Sequence, residues 1–226
     1  IDGVFAFILY DTDNKELYVA RDTYGIRPLF VGFNNTFSVI FSSEIKSIVP
    51  FEKYSTFSIN QFNPGTYTKF KYHDKKWNIQ IHNCIFSKPN SFINNSIKSF
   101  DECAIIVRNT LVESVKKRIV NTDRPIACLL SGGLDSSLIT ALVKKFSPNA
   151  DLHTWSIGFE GSDDLKYAEM VANHIGSTHH SIICSEKDFL NAIPEVIYHI
   201  ESYDTTTVRA SVGNWLISKY IKKNSE

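Results

Sequence analysis

Residues Leu129-Leu130-Ser131-Gly132-Gly133-Leu134-Asp135-Ser136-Ser137 bring two adjacent glycines, three hydroxyls and one carboxylate into a single short segment. A strand-sized apolar run, Ile126 to Leu130, leads into it, and a helical pattern from Leu138 to Phe146 follows. Glycine lets a backbone turn sharply and approach a ligand closely. The free N–H groups of a helix start point at an anion, and the helix dipole adds to the attraction. Ser131, Ser136 and Ser137 supply further donors. Asp135 would repel a phosphate directly. A carboxylate beside phosphates instead holds a divalent cation, and Mg²⁺ accepts mixed carboxylate and phosphate oxygens. The chemistry expected here is binding of a nucleotide's phosphates. A Walker loop is excluded, because no Lys follows the glycines. A glycine turn with no ligand is the plainer alternative, and the strand-to-helix context argues against it.

A second segment, Tyr198 to Ser211, holds Thr206, Thr207 and Arg209. Hydroxyls and a guanidinium aimed at developing negative charge would stabilise it. By residue type alone an ordinary Thr-rich helix start with a solvated Arg is the preferred reading. His174, His179 and His180 bracket a helix end and a strand start, with no acidic or Cys partner at ligand spacing, so no metal is expected on them. Lys116-Lys117-Arg118 reads as a solvated face at a helix C-terminus, where the dipole favours cations.

The elements that must position these groups fall into two textures. Val4 to Tyr10 and Leu17 to Ala20 flank a polar turn and read as a hairpin, and Leu29 to Phe33 with Phe37 to Phe41 repeats the device. A short helix is expected over 44–49, stopped by Pro50. Thr66 to Tyr72 and Trp77 to His82 complete a largely antiparallel region. Residues 85–99 are polar and rich in Asn and Ser, with Pro89, and read as a linker. Ser99 with Glu102 forms a capping box ahead of a helical apolar pattern. From there strand and helix alternate: Ile126 to Leu130, Leu138 to Phe146, His153 to Phe159, Leu165 to Ile175 closed by Gly176, and His180 to Cys184. A helix from Phe189 to Ile200 follows, expected to break at Pro194. Alternation of this kind means parallel βαβ units and a doubly wound sheet, so the chain is α/β overall.

Composition bounds the partners. The 226 residues carry 24 Lys plus Arg against 24 Asp plus Glu, so formal net charge is zero and broad nucleic-acid or anionic-membrane binding is not expected. No run approaches the roughly 20 apolar residues of a membrane span. The four cysteines are widely spaced without a C-x-x-C pattern, which argues against disulfides and zinc and fits a reducing cytoplasm. The chain opens at Ile1 without Met, shows no secretory leader, and reads as the central fragment of a longer protein.

The glycine–serine segment resembles the pyrophosphate loop of the N-type ATP pyrophosphatases, which cleave ATP to AMP and pyrophosphate and adenylate an acceptor oxygen. Ser156 to Leu165 leading into Ala172 to His180, together with Tyr198 to Ser211, resembles the asparagine synthetase family among them. Asp2 to Phe7, Ala20 to Leu29 and Phe41 to Glu44 resemble a class II glutamine amidotransferase domain, an N-terminal-nucleophile hydrolase with an αββα sandwich. The resemblance implies residues 1–84 as the C-terminal part of that domain, 85–99 as linker, and 100–226 as the N-terminal part of an adenine nucleotide α-hydrolase-like synthetase domain. It implies ATP and Mg²⁺ as cofactors, with Leu130, Ser131, Gly132, Gly133, Asp135, Ser136, Ser137 and Ile157 at ATP and Asp135 at the metal. It implies Thr206, Thr207 and Arg209 at the activated substrate, and Asp2 at the α-amino group of glutamine. Arg21, Asp22 and Gly25 would form a salt-bridged turn. The family's N-terminal Cys nucleophile and its second Gly-rich acidic loop have no match in this chain. The implied reaction is glutamine-dependent amidation of aspartate through an adenylate, with a homodimer among the open assemblies. A β-lactam synthetase-like ring closer and a non-catalytic ATP-binding regulatory module are the competing readings.

Overall fold

The computed structural model describes residues 1–35, 38–53, 55–86, 99–148 and 151–224. The chain divides into two compact units, Ile1–Ile93 and Asn94–Glu226. Strand pairing carries the first unit to Ile85, and the Phe86 amide donates to the Gly65 carbonyl at 3.1 Å. The first two residues of the expected linker, Ile85 and Phe86, therefore bond within the first unit, and residues 87–98, with Pro89, lie outside the described residues, as does Phe37.

The first unit holds two antiparallel sheets. One has the order β1 (Ala6–Asp11), β2 (Glu16–Arg21), β6 (Thr66–His73), β7 (Lys76–Ile85). The other places β3 (Phe30–Phe33) between β4 (Val39–Ser42) and β5 (Ser58–Gln61). Strand alternation sends Val19 and Phe70 inward from the first sheet and Val31 from the second. With Leu29 and Phe62 they form one core, and Phe41 meets Phe70 edge-on at 5.7 Å. β5 was invisible in the sequence because only Ile59 of its four residues is apolar. The helix expected over 44–49 is instead two 3₁₀ turns, Ile45–Ser47 and Val49–Phe51. The run is too short to nucleate an α-helix, and Pro50 sits inside the second turn, where its missing N–H is not needed.

Arg21 and Asp22 are buried, at 3% and 2% exposure. The expected salt-bridged turn is built differently. Arg21 donates to three carbonyls, those of Gly25, Arg27 and Phe62, at 2.7–2.8 Å. Asp22 accepts from the amides of Phe5, Tyr24, Ile26 and Arg27. Each charge is solvated by backbone, which satisfies buried ions without relying on one another. Burial pushes the Asp22 carboxyl up, but the four amides outweigh it and hold it below the usual range. Gly25 adopts φ +64°, and a Cβ there would lie 2.9 Å from the Arg21 guanidinium carbon.

The second unit opens with α1 (Phe100–Val120), whose N-cap Ser99 accepts from the Glu102 amide at 3.1 Å. Three parallel strands follow in the order β10 (Thr178–Ile183), β9 (His153–Gly158), β8 (Ala127–Leu129). α2 (Leu134–Phe146) joins β8 to β9, and α3 (Asp163–Ile175) joins β9 to β10. α3 ends at Gly176 in the left-handed region, φ +72°. The three strands step in one direction, so the reversal of order that defines a doubly wound sheet does not occur among the described strands. α4 (Glu186–Ile200) runs unbroken through Pro194, and α5 (Thr205–Asn224) packs along it. The expected break is absent because Ala192 and Val196, on either side of the proline, are buried against Val208 and Val212 of α5. That packing compensates for the one helix hydrogen bond that proline removes.

Each face of β9 has its own character. Thr154 and Ser156 are buried on one face and bond to His179 at 2.9 and 3.0 Å. Trp155 on the other face packs with Ile182 and with Ile217 of α5.

Candidate functional site

β8 ends at Leu129, and Leu130 still belongs to the sheet, its amide donating to the Trp155 carbonyl at 2.7 Å. Leu130 is 1% exposed and packs on Ala168 and Ala172 of α3. The chain then turns at Gly132, φ +79°. A Cβ on Gly132 would sit 2.6 Å from the Ala168 nitrogen and the Tyr167 carbonyl carbon, so both conformation and space demand glycine. Gly133 is the N-cap of α2 and makes no side-chain cap bond, which leaves the first-turn amides of α2 open. Ser136 and Ser137 fold back onto the Gly133 carbonyl at 3.2 and 2.7 Å. The Ser131 and Ser136 hydroxyls meet at 3.0 Å. The result is a tight turn with hydroxyls and free amides at one point, beside the exposed Asp135 in the first turn of α2. Such a turn can hold an anion.

A crevice of about 220 Å³ opens from this turn across the carboxyl ends of β8 and β9. Leu130, Ser131, Ser136 and Ile157, all singled out in the sequence, line it together. Gly132, Gly133, Asp135 and Ser137 shape the same turn without lining the crevice. The sequence reading missed Trp155, Ser156, Asp164, Asn214 and Ile217, which also line it. Trp155 and Ser156 were within reach, since they adjoin Ile157 at a strand end. Asn214 and Ile217 were not, because only the packing of α5 on β9 brings them there.

Thr206, Thr207 and Arg209 occupy the start of α5. Asp204 caps this helix by accepting from both the amide and the hydroxyl of Thr207 at 2.8 Å. Those bonds hold the Asp204 carboxyl below its ordinary range. The Thr207 hydroxyl is thus engaged in capping. Arg209 lines a different hollow, an apolar cleft between α4 and α5 with Phe189, Ile193 and Val212. The structure does not bring the Thr206–Arg209 group into the crevice at the glycine turn. Asp2 lies in the first unit, exposed, in the stretch before β1.

His179 and His180 are explained locally. His179 bonds Thr154 and Ser156, and burial lowers its proton affinity below the ordinary histidine range. His180 stacks on Trp155 at 4.0 Å and shares a 2.9 Å bond with His153. All four cysteines are free thiols. No helix among the described residues is long and apolar enough to cross a membrane.

A family model described as Asparagine synthase matches residues 106–226, and one described as Glutamine amidotransferase domain matches residues 1–50. Among curated proteins the chain is 42% identical to the glutamine-hydrolyzing asparagine synthetase of Homo sapiens and 39% identical to that of Gallus gallus. Each alignment covers all of this chain and 43% of the relative, so the chain spans under half the length of the relatives it matches. Among solved structures, an NH3-dependent NAD synthetase from Campylobacter jejuni aligns at 14% identity and TM-score 0.38, over 54% of this chain and 53% of that one.

Proposed function

The chain belongs to the asparagine synthase family, and on that premise we propose that the whole protein amidates aspartate to asparagine, with ATP as activator and glutamine as nitrogen source. Residues 1–84 are then the C-terminal part of a class II glutamine amidotransferase domain of the N-terminal-nucleophile αββα class. Residues 85–99 are the linker. Residues 100–226 are the N-terminal part of a doubly wound, adenine nucleotide α-hydrolase-like synthetase domain. Soluble substrates suit a cytoplasmic enzyme, and a homodimer stays one of the open assemblies, as in the sequence reading.

The observation that carries this reading is the crevice at the strand ends, with an uncapped helix start at one end and apolar walls at the other. Ligands of parallel sheets bind at this position. In our reading the first-turn amides of α2, with Ser131, Ser136 and Ser137, hold the phosphates. Gly132 and Gly133 let the backbone approach them, and Leu130 and Ile157 flank the base. Asp135 is the one carboxylate of the turn, exposed beside the open amides. Among the described residues no three His, Cys, Asp or Glu side chains form a ligand cage. A cation shared between one carboxylate and substrate phosphates is the arrangement these residues fit, and it is the habit of Mg²⁺. Asp135 would hold such a cation, whose chemistry would be to offset the negative charge of the phosphates.

Activation is needed because a free carboxylate has no adequate leaving group. A β-carboxylate oxygen of aspartate attacks the α-phosphorus of ATP, and the bond from that phosphorus to the bridging oxygen breaks. Pyrophosphate leaves with the electron pair. Ammonia, released as glutamine is hydrolysed to glutamate, attacks the acyl carbon. AMP departs with the carbon–oxygen pair, and the nitrogen loses a proton. Arg209, Thr206 and Thr207 lie at the start of α5, outside this crevice, and would have to reach the substrate from that side to stabilise the charge that builds on the phosphates. Asp2 holds the α-ammonium of glutamine.

The test is a balance sheet on the native full-length protein given aspartate, glutamine and ATP. AMP, pyrophosphate, glutamate and asparagine should form in equal amounts. AMP without glutamate, alongside an internally cyclised product, would replace this reading with a β-lactam synthetase-like one. ATP binding without pyrophosphate release would make the protein a regulatory module.

A further inference from the structure

On the face they turn to α5, β9 and β10 carry a line of rings. His153 and His180 meet through Nδ1 and Nε2 at 2.9 Å, with their rings within 6° of parallel. His180 stacks on Trp155, centroids 4.0 Å apart and planes 16° apart. Tyr220 of α5 meets the Trp155 ring edge-on at 6.0 Å. Trp155 is buried and lines the crevice at the strand ends. The line therefore runs from a solvent-accessible pair, with 43% of the His153 side chain exposed, to a wall of the crevice.

A hydrogen bond between two imidazoles needs one hydrogen between two nitrogens, and Asp151 decides which ring supplies it. Its Oδ2 lies 3.4 Å from His153 Nε2, and its Oδ1 accepts from the Thr178 hydroxyl at 2.9 Å. A carboxylate only accepts, so His153 carries its hydrogen on Nε2, and its bare Nδ1 accepts from His180 Nε2–H. His180 keeps a lone pair on Nδ1. One added proton enters there without disturbing the bond, which becomes charge-assisted. A second would set two N–H groups against each other at 2.9 Å, and the rings would have to part. The surroundings agree with a single charge. Burial lowers the proton affinity of His180, a charge on His153 lowers it further, and Asp151 opposes both. His179 faces the other side of the sheet, bonded to Thr154 and Ser156. β8 brings no charged residue, and Lys222 and Lys223 in the last turn of α5 are exposed. An imidazolium on His180 is held over the electron-rich indole face. It then stands directly behind a wall of the crevice, where it attracts an anionic ligand.

We propose that His153 and His180 together hold one exchangeable proton, and that this charge, seated on Trp155, gives the crevice a pH-dependent affinity for an anionic ligand. The effect on ATP rests on the crevice being the nucleotide site; the sharing of the proton does not. The native full-length protein is titrated from about pH 8 to about pH 5.5 in a Trp215→Phe background, because Trp215 stacks on His199 at 4.3 Å. A stacked imidazolium accepts charge from excited indole, so Trp155 emission should dim in one step, and the dimming should vanish in His180→Gln. In His153→Leu the His180 cation loses its acceptor, and the step should move to lower pH. The ring-proton NMR signals of His153 and His180 should shift together with one midpoint. ATP affinity should rise on acidification by a ratio about threefold larger in the wild type than in His180→Gln, a comparison that cancels the titration of ATP itself. Separate midpoints for the two histidines, or dimming that survives His180→Gln, overturn the shared proton. Equal affinity ratios overturn its link to the crevice. Failure of the wild type to bind ATP at either pH removes the nucleotide reading and the link with it, while emission and NMR still decide the pair.

Discussion

Gly132→Ala is the sharpest test of how the phosphate turn is built. Two penalties add at this position. The backbone sits at φ +79°, where an L side chain costs about 1–2 kcal/mol. The new Cβ would meet the Ala168 nitrogen, the Tyr167 carbonyl carbon and the Tyr167 Cβ, all at 2.6 Å. Two of those atoms are α3 backbone and cannot swing aside, so the turn or the helix must move, at about 1–3 kcal/mol. The sum is about 2–5 kcal/mol. Two neighbours serve as controls. Gly161 shares the left-handed backbone, φ +74°, but has open space around it, so Gly161→Ala should cost only about 1–2 kcal/mol. Gly133 has an ordinary φ of −70°, and its Cβ would meet only the Ser131 hydroxyl at 3.4 Å. Gly133→Ala should cost about 1 kcal/mol, through the poorer N-cap. Urea unfolding followed by the fluorescence of Trp155 and Trp215 reports on this unit. Gly132→Ala should also lose ATP affinity, whereas Gly161→Ala should retain it. If Gly132→Ala and Gly161→Ala prove equally stable, the packing of the turn against α3 is not what demands glycine.

Two further outcomes follow from the buried charges. Asp22→Asn replaces an acceptor of four amides with a group that points a donor at some of them, and should destabilise the first unit by about 2–4 kcal/mol. Because the native carboxyl titrates below the usual range, its contribution is complete above that range and lost as pH falls through the native value; Asp22→Asn should flatten the acid limb of an unfolding profile read through Trp77. In the second unit, burial lowers the proton affinity of His179, aided by His180 and opposed by Glu169. The unfolded chain then takes the proton more readily below about pH 6.5, so stability should fall with pH there, and His179→Gln should lessen that slope. A slope unchanged in His179→Gln would assign the pH dependence to His180 instead, whose proton affinity burial also lowers.

Local features were the legible ones. Ser99 announced its capping role through type and spacing, and Gly176 announced a left-handed helix end. The glycine–serine turn was readable because its sequence neighbours are also its spatial neighbours. Features that depend on a distant partner were not readable. Pro194 looks like a helix break until α5 is laid against α4. β5 shows no strand pattern because pairing to β3, and not burial, makes it a strand. Arg21 and Asp22 are adjacent and opposite in charge, which suggested a pair, yet backbone satisfies each, from the turn that follows them and from Phe5 and Phe62 farther along the chain. The crevice shows the same division: its β8 wall was foreseen, and its α5 wall came only with packing.

The hydroxyl and imidazole groups under α3 bear on how the parallel sheet finds its alignment. A wholly aliphatic face would accept β10 shifted along β9 with little loss, since one methyl contact substitutes for another. Thr154, Ser156 and His179 do not permit that, because their bonds exist in one alignment only. Shifting β10 by one residue would turn His179 away and bring aliphatic Ile182 toward the polar side. The layer therefore acts as a key that encodes strand register, and it discriminates against misaligned compact states during folding.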